Sequence, residues 1–136
     1  MPVKLIKQYT VFLPNVPGAL SKFVELFSKE GGNIVGIASE IRDDSGIVRI
    51  AVDAERKVSH ILTGAGFTTI ETQMISVELR DKPGELLHMT RVLGEHNINI
   101  TTVYGTADSG GTDRVLLNVS DVDKALEVLK QEMGQK

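Results

Sequence analysis

The 136-residue sequence contains no cysteine, which excludes disulfide bonds and catalysis by a thiolate. It also lacks tryptophan and has only two tyrosines and four phenylalanines, so an aromatic platform for stacking nucleic-acid bases is not expected. No apolar run approaches membrane-spanning length, and the net charge of −3 comes without a block of basic residues. We therefore expect a cytoplasmic protein that binds neither nucleic acid nor a membrane.

Recognisable catalytic and metal-binding patterns are also missing from the sequence. There is no P-loop, no dinucleotide-binding glycine motif and no nucleophile elbow around a serine. Glu85 and His88 stand at helical spacing, but a single such pair does not supply the ligand set of a metal site. His96 falls in the last turn of a predicted helix, where it can complement the helix C-terminus. We expect that the protein is not an enzyme and that it binds neither a metal ion nor a cofactor.

The main positive feature is an internal repeat around a Pro-Gly motif. Asn15-Val16-Pro17-Gly18-Ala19-Leu20 recurs as Asp81-Lys82-Pro83-Gly84-Glu85-Leu86, an offset of 66 residues. An Asn-Ile pair begins fifteen residues after each glycine, at Asn33-Ile34 and at Asn99-Ile100. The offset becomes 67 after the second hairpin, whose residues 108–113 we interpret as a loop with one inserted residue. A repeat this coherent indicates two copies of one module.

Hydrophobic periodicity predicts the order β-α-β-β-α-β for a complete module. Residues 3–13 alternate as a strand, and Pro17 and Pro83 each suit the first position of the helix that follows. The first helix has its apolar face at Leu20, Phe23, Val24 and Phe27, and the matching face in the second half is Leu86, Met89, Thr90 and Leu93. Residues 43–46 are predicted to form a hairpin turn.

The two copies have unequal ends. We assign residues 1–72 to the first module and residues 73–136 to the second, which ends before its own fourth strand. Residues 67–79 contain almost no turn signal, so the last strand of the first module is expected to continue into the first strand of the second. We expect residues 3–7 to supply the missing strand, which would otherwise leave an open sheet edge. The alternative is that a partner subunit donates it.

The Pro-Gly loops are the candidate binding sites. Such a loop is also an ordinary turn at a helix start, but it recurs here with a polar residue three positions before each glycine, Asn15 and Asp81. A free amino acid fits this arrangement. Its carboxylate can meet the N–H groups at the helix start, while its ammonium group and side chain meet side-chain oxygens.

The combined pattern of Asn/Asp-x-Pro-Gly-x-Leu, a helix and Asn-Ile resembles the ACT domain family, over both repeats. The resemblance implies an α+β fold of two tandem ferredoxin-like βαββαβ modules with antiparallel sheets. It also implies binding of an amino acid or similar effector at module interfaces, between the loop of one module and the second strand of another. The implied contacts are Asn15, Val16, Pro17, Gly18, Ala19, Leu20, Asn33, Ile34, Asp81, Lys82, Pro83, Gly84, Glu85, Leu86, Asn99 and Ile100.

From the residues and the resemblance we expect a non-enzymatic regulatory protein of amino-acid metabolism that binds a free amino acid and forms a homodimer. The sequence leaves the identity of the amino acid open. The alternative is a docking subunit of an amino-acid biosynthetic enzyme, similar to the small subunit of acetolactate synthase, that acts mainly through protein–protein contacts with the catalytic chain.

Overall fold

The computed structural model describes residues 3–30, 34–42, 45–53, 59–107 and 111–133. These residues contain six strands and four helices, and the pattern confirms the predicted α+β class. The elements in chain order are β1 (Val3–Pro14), α1 (Ala19–Glu30), β2 (Ile34–Arg42), β3 (Ser45–Val52), α2 (Ser59–Gly64), β4 (Thr69–Arg80), α3 (Glu85–Glu95), β5 (Ile100–Ala107), β6 (Thr112–Val119) and α4 (Val122–Glu132).

The chain divides into two compact units. The first unit comprises Ile6–Thr72, and its strands follow the order β2-β3-β1-β4. Its pairing is antiparallel, with Val48 of β3 opposite Val11 of β1 and Ile50 opposite Ile37 of β2. At the β4 side, Gln8 Nε2 donates a 3.3 Å hydrogen bond to Thr72 Oγ1. This is the strand order expected when β1 pairs with both the third and the fourth strand of one βαββαβ module.

The core of the first unit lies between its sheet and its two helices. Alternate residues of β1 and β3 face α1 and α2, as their period of two predicts. Phe23 is fully buried, with its ring 5.3 Å from the ring of Phe27 and 5.5 Å from the ring of Phe67, both in edge-to-face geometry. The buried set is Tyr9, Val11, Leu13, Phe23, Phe27, Val48, Ile50, Val52 and Leu62.

The second unit comprises Gln73–Lys136 together with Met1–Leu5. The start of β1 lies beside β4, and the order continues through β6 to β5. Val3 packs against a core in which Leu117 and Leu129 are completely buried. That core contains Ile75, Val77, Leu79, Met89, Val92, Leu93, Ile98, Val115, Leu117, Ala125, Val128, Leu129 and Met133. Val3 of β1 thus contributes to the packing of the second unit, which also contains β4, β6 and β5.

β4 runs without a break from Thr69 to Arg80, as predicted.

Strand boundaries differ from the sequence predictions at both hairpins. Ser45 and Gly46, which were predicted to lie in a turn, pair with Pro14 and Leu13 as the start of β3. Residues 112 and 113 were predicted to lie in a loop but open β6, because the end of β4 offers them pairing partners. Short Asp, Ser, Gly and Thr residues favour turns locally, and sheet pairing overrides that preference.

Candidate functional site

Both Pro-Gly loops have the same backbone geometry. In the first unit, the Val16 N–H donates to the Pro14 carbonyl at 2.9 Å and the Lys22 N–H donates to Gly18 at 3.1 Å. In the second unit, the Lys82 N–H donates to Arg80 at 2.9 Å and the His88 N–H donates to Gly84 at 2.9 Å. Each of these bonds in one loop has its counterpart 66 residues away in the other, so the sequence repeat is also a repeat of local structure.

The backbone conformation in each loop requires a glycine. Gly18 has φ +85° and Gly84 has φ +92°, a left-handed region that residues with a Cβ rarely adopt. The helices therefore begin at Ala19 and Glu85, after the glycines. The prediction that Pro17 and Pro83 occupy the first helical position was wrong: both prolines lie in the turn that leads to the glycine.

A cavity of about 120 Å³ adjoins the loop of the first unit. Predicted residues Asn15, Val16, Ala19 and Leu20 line it, and Leu20 is 42% exposed although its spacing predicted a core position. The sheet contributes residues from three strands. The complete lining is Leu13, Pro14, Asn15, Val16, Ala19, Leu20, Ser39, Glu40, Gly46 and Val48.

A larger cavity of about 250 Å³ lies at the equivalent place in the second unit. Predicted residues Lys82, Glu85 and Leu86 line it, and an ion pair of 3.5 Å joins Lys82 Nζ to Glu85 Oε1. Both cavities occupy the same corner of the repeated module, between the helix start and the end of the sheet. The complete lining is Leu79, Arg80, Lys82, Glu85, Leu86, Gly105, Asp113 and Val115.

The described residues of the Asn-Ile pairs, which are Ile34, Asn99 and Ile100, lie away from the cavity of their own unit. Ile100 opens β5 opposite Val119, at the far end of β6 from the Asp81 loop. The eight residues of β6 separate the two features by roughly 25 Å at about 3.3 Å per residue. Asn99 is exposed, and its N–H donates to Ser120 Oγ at 3.0 Å. Ile34 opens β2 in the same way, opposite Val52, while Asn33 lies outside the described residues.

Sequence reasoning missed the strand residues that complete each cavity. Asp113 is the most informative of them, since it lies directly opposite Leu79 of β4 and therefore on the core-facing side of β6. The signal was present in the sequence: Asp113, Val115, Leu117 and Val119 alternate, and the offset of 67 aligns Asp113 with Gly46. The alternation was not recognised because hairpin residues 108–113 are of types that favour turns.

Two histidines lie in or next to α3, and the first of them, His88, is inside the helix. His96 follows the end of α3, and its Nδ1 lies 2.9 Å from the Val92 carbonyl oxygen. Across residues 3–133, apart from the segments that are not described, no group of three or more His, Asp or Glu side chains could hold a metal ion.

None of the described helices has the length and hydropathy needed to cross a membrane.

Comparisons with known proteins agree with this architecture. The model of the ACT domain pair matches residues 4–134, and the chain belongs to that family. The predicted resemblance and the tandem ferredoxin-like fold are thereby confirmed. No curated protein matches the chain.

Solved structures share the fold over almost the whole chain. Protein BT0572 from Bacteroides thetaiotaomicron is 27% identical with a TM-score of 0.85, covering 96% of this chain and 90% of that one. The regulatory subunit of aspartate kinase from Thermus thermophilus is 17% identical with a TM-score of 0.66, covering 98% and 97%. The corresponding subunit from Thermus flavus is also 17% identical, with a TM-score of 0.58 and 96% of each chain covered. At 17% identity, the last two show likeness of fold alone.

Proposed function

We propose that this chain is a non-enzymatic regulatory protein that binds a free amino acid beside its Pro-Gly loops. The observation that carries the proposal is the pair of equivalent cavities, each formed where a glycine with positive φ opens a helix. At about 250 and 120 Å³, both are smaller than the roughly 300–1,000 Å³ of drug-sized sites. N–H groups at a helix start favour a carboxylate, and the apolar lining can receive a small side chain.

Membership of the ACT domain pair family supports this function, as does the use of similar folds in proteins described as regulatory subunits of aspartate kinase. We propose that the modules are residues 1–72 and 73–136, and that residues 3–7 supply the fourth strand of the second module. Effector binding would shift an equilibrium between assemblies, which requires a different affinity for each assembly.

The proposed partner is a second copy of the chain. β2 and β5 are the outermost strands of their units, so each offers an edge for pairing. Antiparallel pairing of β5 with its copy would bring Asn99 of one chain to the end of β5 in the other, where the Asp81 loop lies. Within one chain, the Asp81 loop and Asn99 lie at opposite ends of the sheet. This pairing would place the loop of one chain next to Asn99 of the other. Exposed Leu86 and Val103, at 53% each, provide apolar surface close to that edge.

A lysine at position 103 tests this dimer. We expect Val103→Lys to weaken dimerisation by roughly a hundredfold, because a twofold interface loses about 1–2 kcal/mol of apolar burial at each of two equivalent sites. Sedimentation velocity over a concentration series measures the change. Ile70→Lys is the matched control, since Ile70 is a strand residue of similar exposure, 51%, on a different strand. Unchanged dimerisation in Val103→Lys would exclude pairing through β5.

A thermal unfolding panel of the twenty proteinogenic amino acids tests the proposed function. An amino acid present at a hundred times its dissociation constant should add about 2.7 kcal/mol to the free energy of unfolding. We expect one amino acid, or a small group with related side chains, to raise the melting temperature. A flat panel, together with co-purification of a large metabolic enzyme, would instead favour a docking subunit.

A further inference from the structure

We propose that the cavity of the second unit is the one that holds the amino acid, and that the Asp113 carboxylate binds its α-ammonium group. This inference depends on the proposed function and assigns it to one of the two repeats. It also names a residue outside the Pro-Gly loop and outside the Asn-Ile pair.

The position of Asp113 is unusual for an acidic residue. It lies opposite Leu79 on one side and opposite Ala107 on the other, so it belongs to the row of β6 residues that faces the helices. The next two members of that row, Val115 and Leu117, are buried in the core. An acidic side chain at the end of such a row points to the cavity rather than to open solvent, and Asp113 is indeed part of the cavity lining.

One oxygen of this carboxylate has no hydrogen-bond partner. Asp113 Oδ1 is buried, and no described residue donates to it. Burying a carboxylate oxygen without a donor is unfavourable, and buried polar atoms in folded proteins normally have partners. Two neighbouring cations have carboxylate partners of their own: Lys82 Nζ pairs with Glu85, and Arg114 Nη2 pairs with Glu78 at 3.3 Å. Arg80 also lines the cavity, but it does not donate to Asp113 Oδ1. A cationic ligand in the cavity would supply the missing donor.

The first unit lacks this arrangement. Gly46 stands in the place of Asp113, and Ala19 and Val16 stand in the places of Glu85 and Lys82. The acidic side chain that lines the first cavity, Glu40, is paired with Arg49 at 3.6 Å. The first cavity therefore has no equivalent acceptor at the corner of the sheet where the second cavity has Asp113.

The larger volume of the second cavity also favours amino-acid binding there rather than in the first cavity. Gly105 lines the second cavity, and a Cβ added there would meet the Arg114 carbonyl oxygen at 3.3 Å and the Val115 side chain at 3.7 Å. The first repeat has Ser39 at the equivalent position. The second cavity, about twice as large, has space for an amino acid whose side chain lies against Leu79, Leu86 and Val115. The geometry favours an α-amino acid with a small or medium-sized apolar side chain.

Isothermal titration calorimetry on the full chain tests the inference. The probes are the twenty proteinogenic amino acids and, for the tightest of them, the analogue that carries hydrogen in place of the α-amino group, such as propionate for alanine. The variants are Asp113→Asn and Asp113→Gly, the latter copying the first repeat. Asp123→Asn is the matched control, because it makes the same chemical change at an exposed position on α4. Circular dichroism confirms that each variant is folded.

The expected result is one amino acid bound per chain. Both Asp113 variants should weaken binding by about tenfold or more, because a hydrogen bond to a charged group is lost, and Asp123→Asn should leave the affinity unchanged. The unmodified chain should bind the analogue about tenfold more weakly than the amino acid, and Asp113→Asn should lose this discrimination. Two bound molecules per chain, or full affinity and discrimination in Asp113→Asn, would overturn the inference and leave the proposed function standing. Absence of binding by all twenty probes to the unmodified chain would overturn both.

Discussion

Replacing Phe23 by alanine is expected to lower the free energy of unfolding by about 3–5 kcal/mol. Phe23 is 0% exposed, and its ring contacts two other phenylalanines edge-to-face. Alanine would leave a cavity between α1 and the sheet that the neighbouring rings can fill only in part, so the loss includes both burial and packing. Such aromatic pairs contribute about 0.5–1.5 kcal/mol beyond their buried area.

Denaturant unfolding at equilibrium measures this loss, with Val24→Ala as the matched control. Val24 is the next residue of the same helix and is 36% exposed, so its truncation should cost less than about 1 kcal/mol. A loss in Phe23→Ala no larger than that in Val24→Ala would show that the three phenylalanines do not form the centre of the first unit.

Deleting residues 1–5 is expected to destabilise the second unit, although they are far in sequence from the rest of that unit. The deletion removes Val3 from the core of that unit and leaves the adjacent edge of β4 without its neighbouring strand. The lost apolar burial and backbone hydrogen bonds together correspond to about 2–4 kcal/mol. An uncovered strand edge also promotes association between chains.

Hydrogen exchange followed by mass spectrometry locates the effect of the deletion. Amides of β4 between residues 73 and 80 should lose protection, and those of α1 should change much less. Leu5→Thr is the control, since it keeps the strand backbone and alters a side chain that is 43% exposed. Full protection of β4 in the truncated chain would show that residues 1–5 contribute no strand to the second unit.

Most of the fold followed from the sequence because most elements occur in both repeats and could be predicted twice. Leu117 and Leu129, for example, align with Ile50 and Leu62, and all four are completely buried. The continuity of β4 also followed, because residues 67–79 lack turn residues. The predictions were wrong at positions where the local preference for a turn and the pairing in the sheet disagree. Gly46 and Asp113 are residues of types that favour turns, yet both are paired in strands.

The candidate site was less accessible from the sequence than the fold. The loops could be identified because Pro-Gly recurs at a fixed offset, and the loops do border both cavities. The far wall was not predicted, because identifying it requires knowing which residues of β3 and β6 reach the corner of each sheet. Leu20 and Leu86 illustrate the same limit: both fit the apolar face of a helix, but the first turn extends past the core and leaves them exposed beside the cavities.

Equilibrium dialysis tests the central claim most directly. The purified full chain is dialysed against an equimolar mixture of the twenty proteinogenic amino acids, and the amino acids on both sides of the membrane are then quantified. Binding of a free amino acid predicts that one of them, or a few with related side chains, is enriched on the protein side in proportion to protein concentration. Equal concentrations of all twenty on both sides would contradict the proposal that this ACT domain pair is an amino-acid sensor.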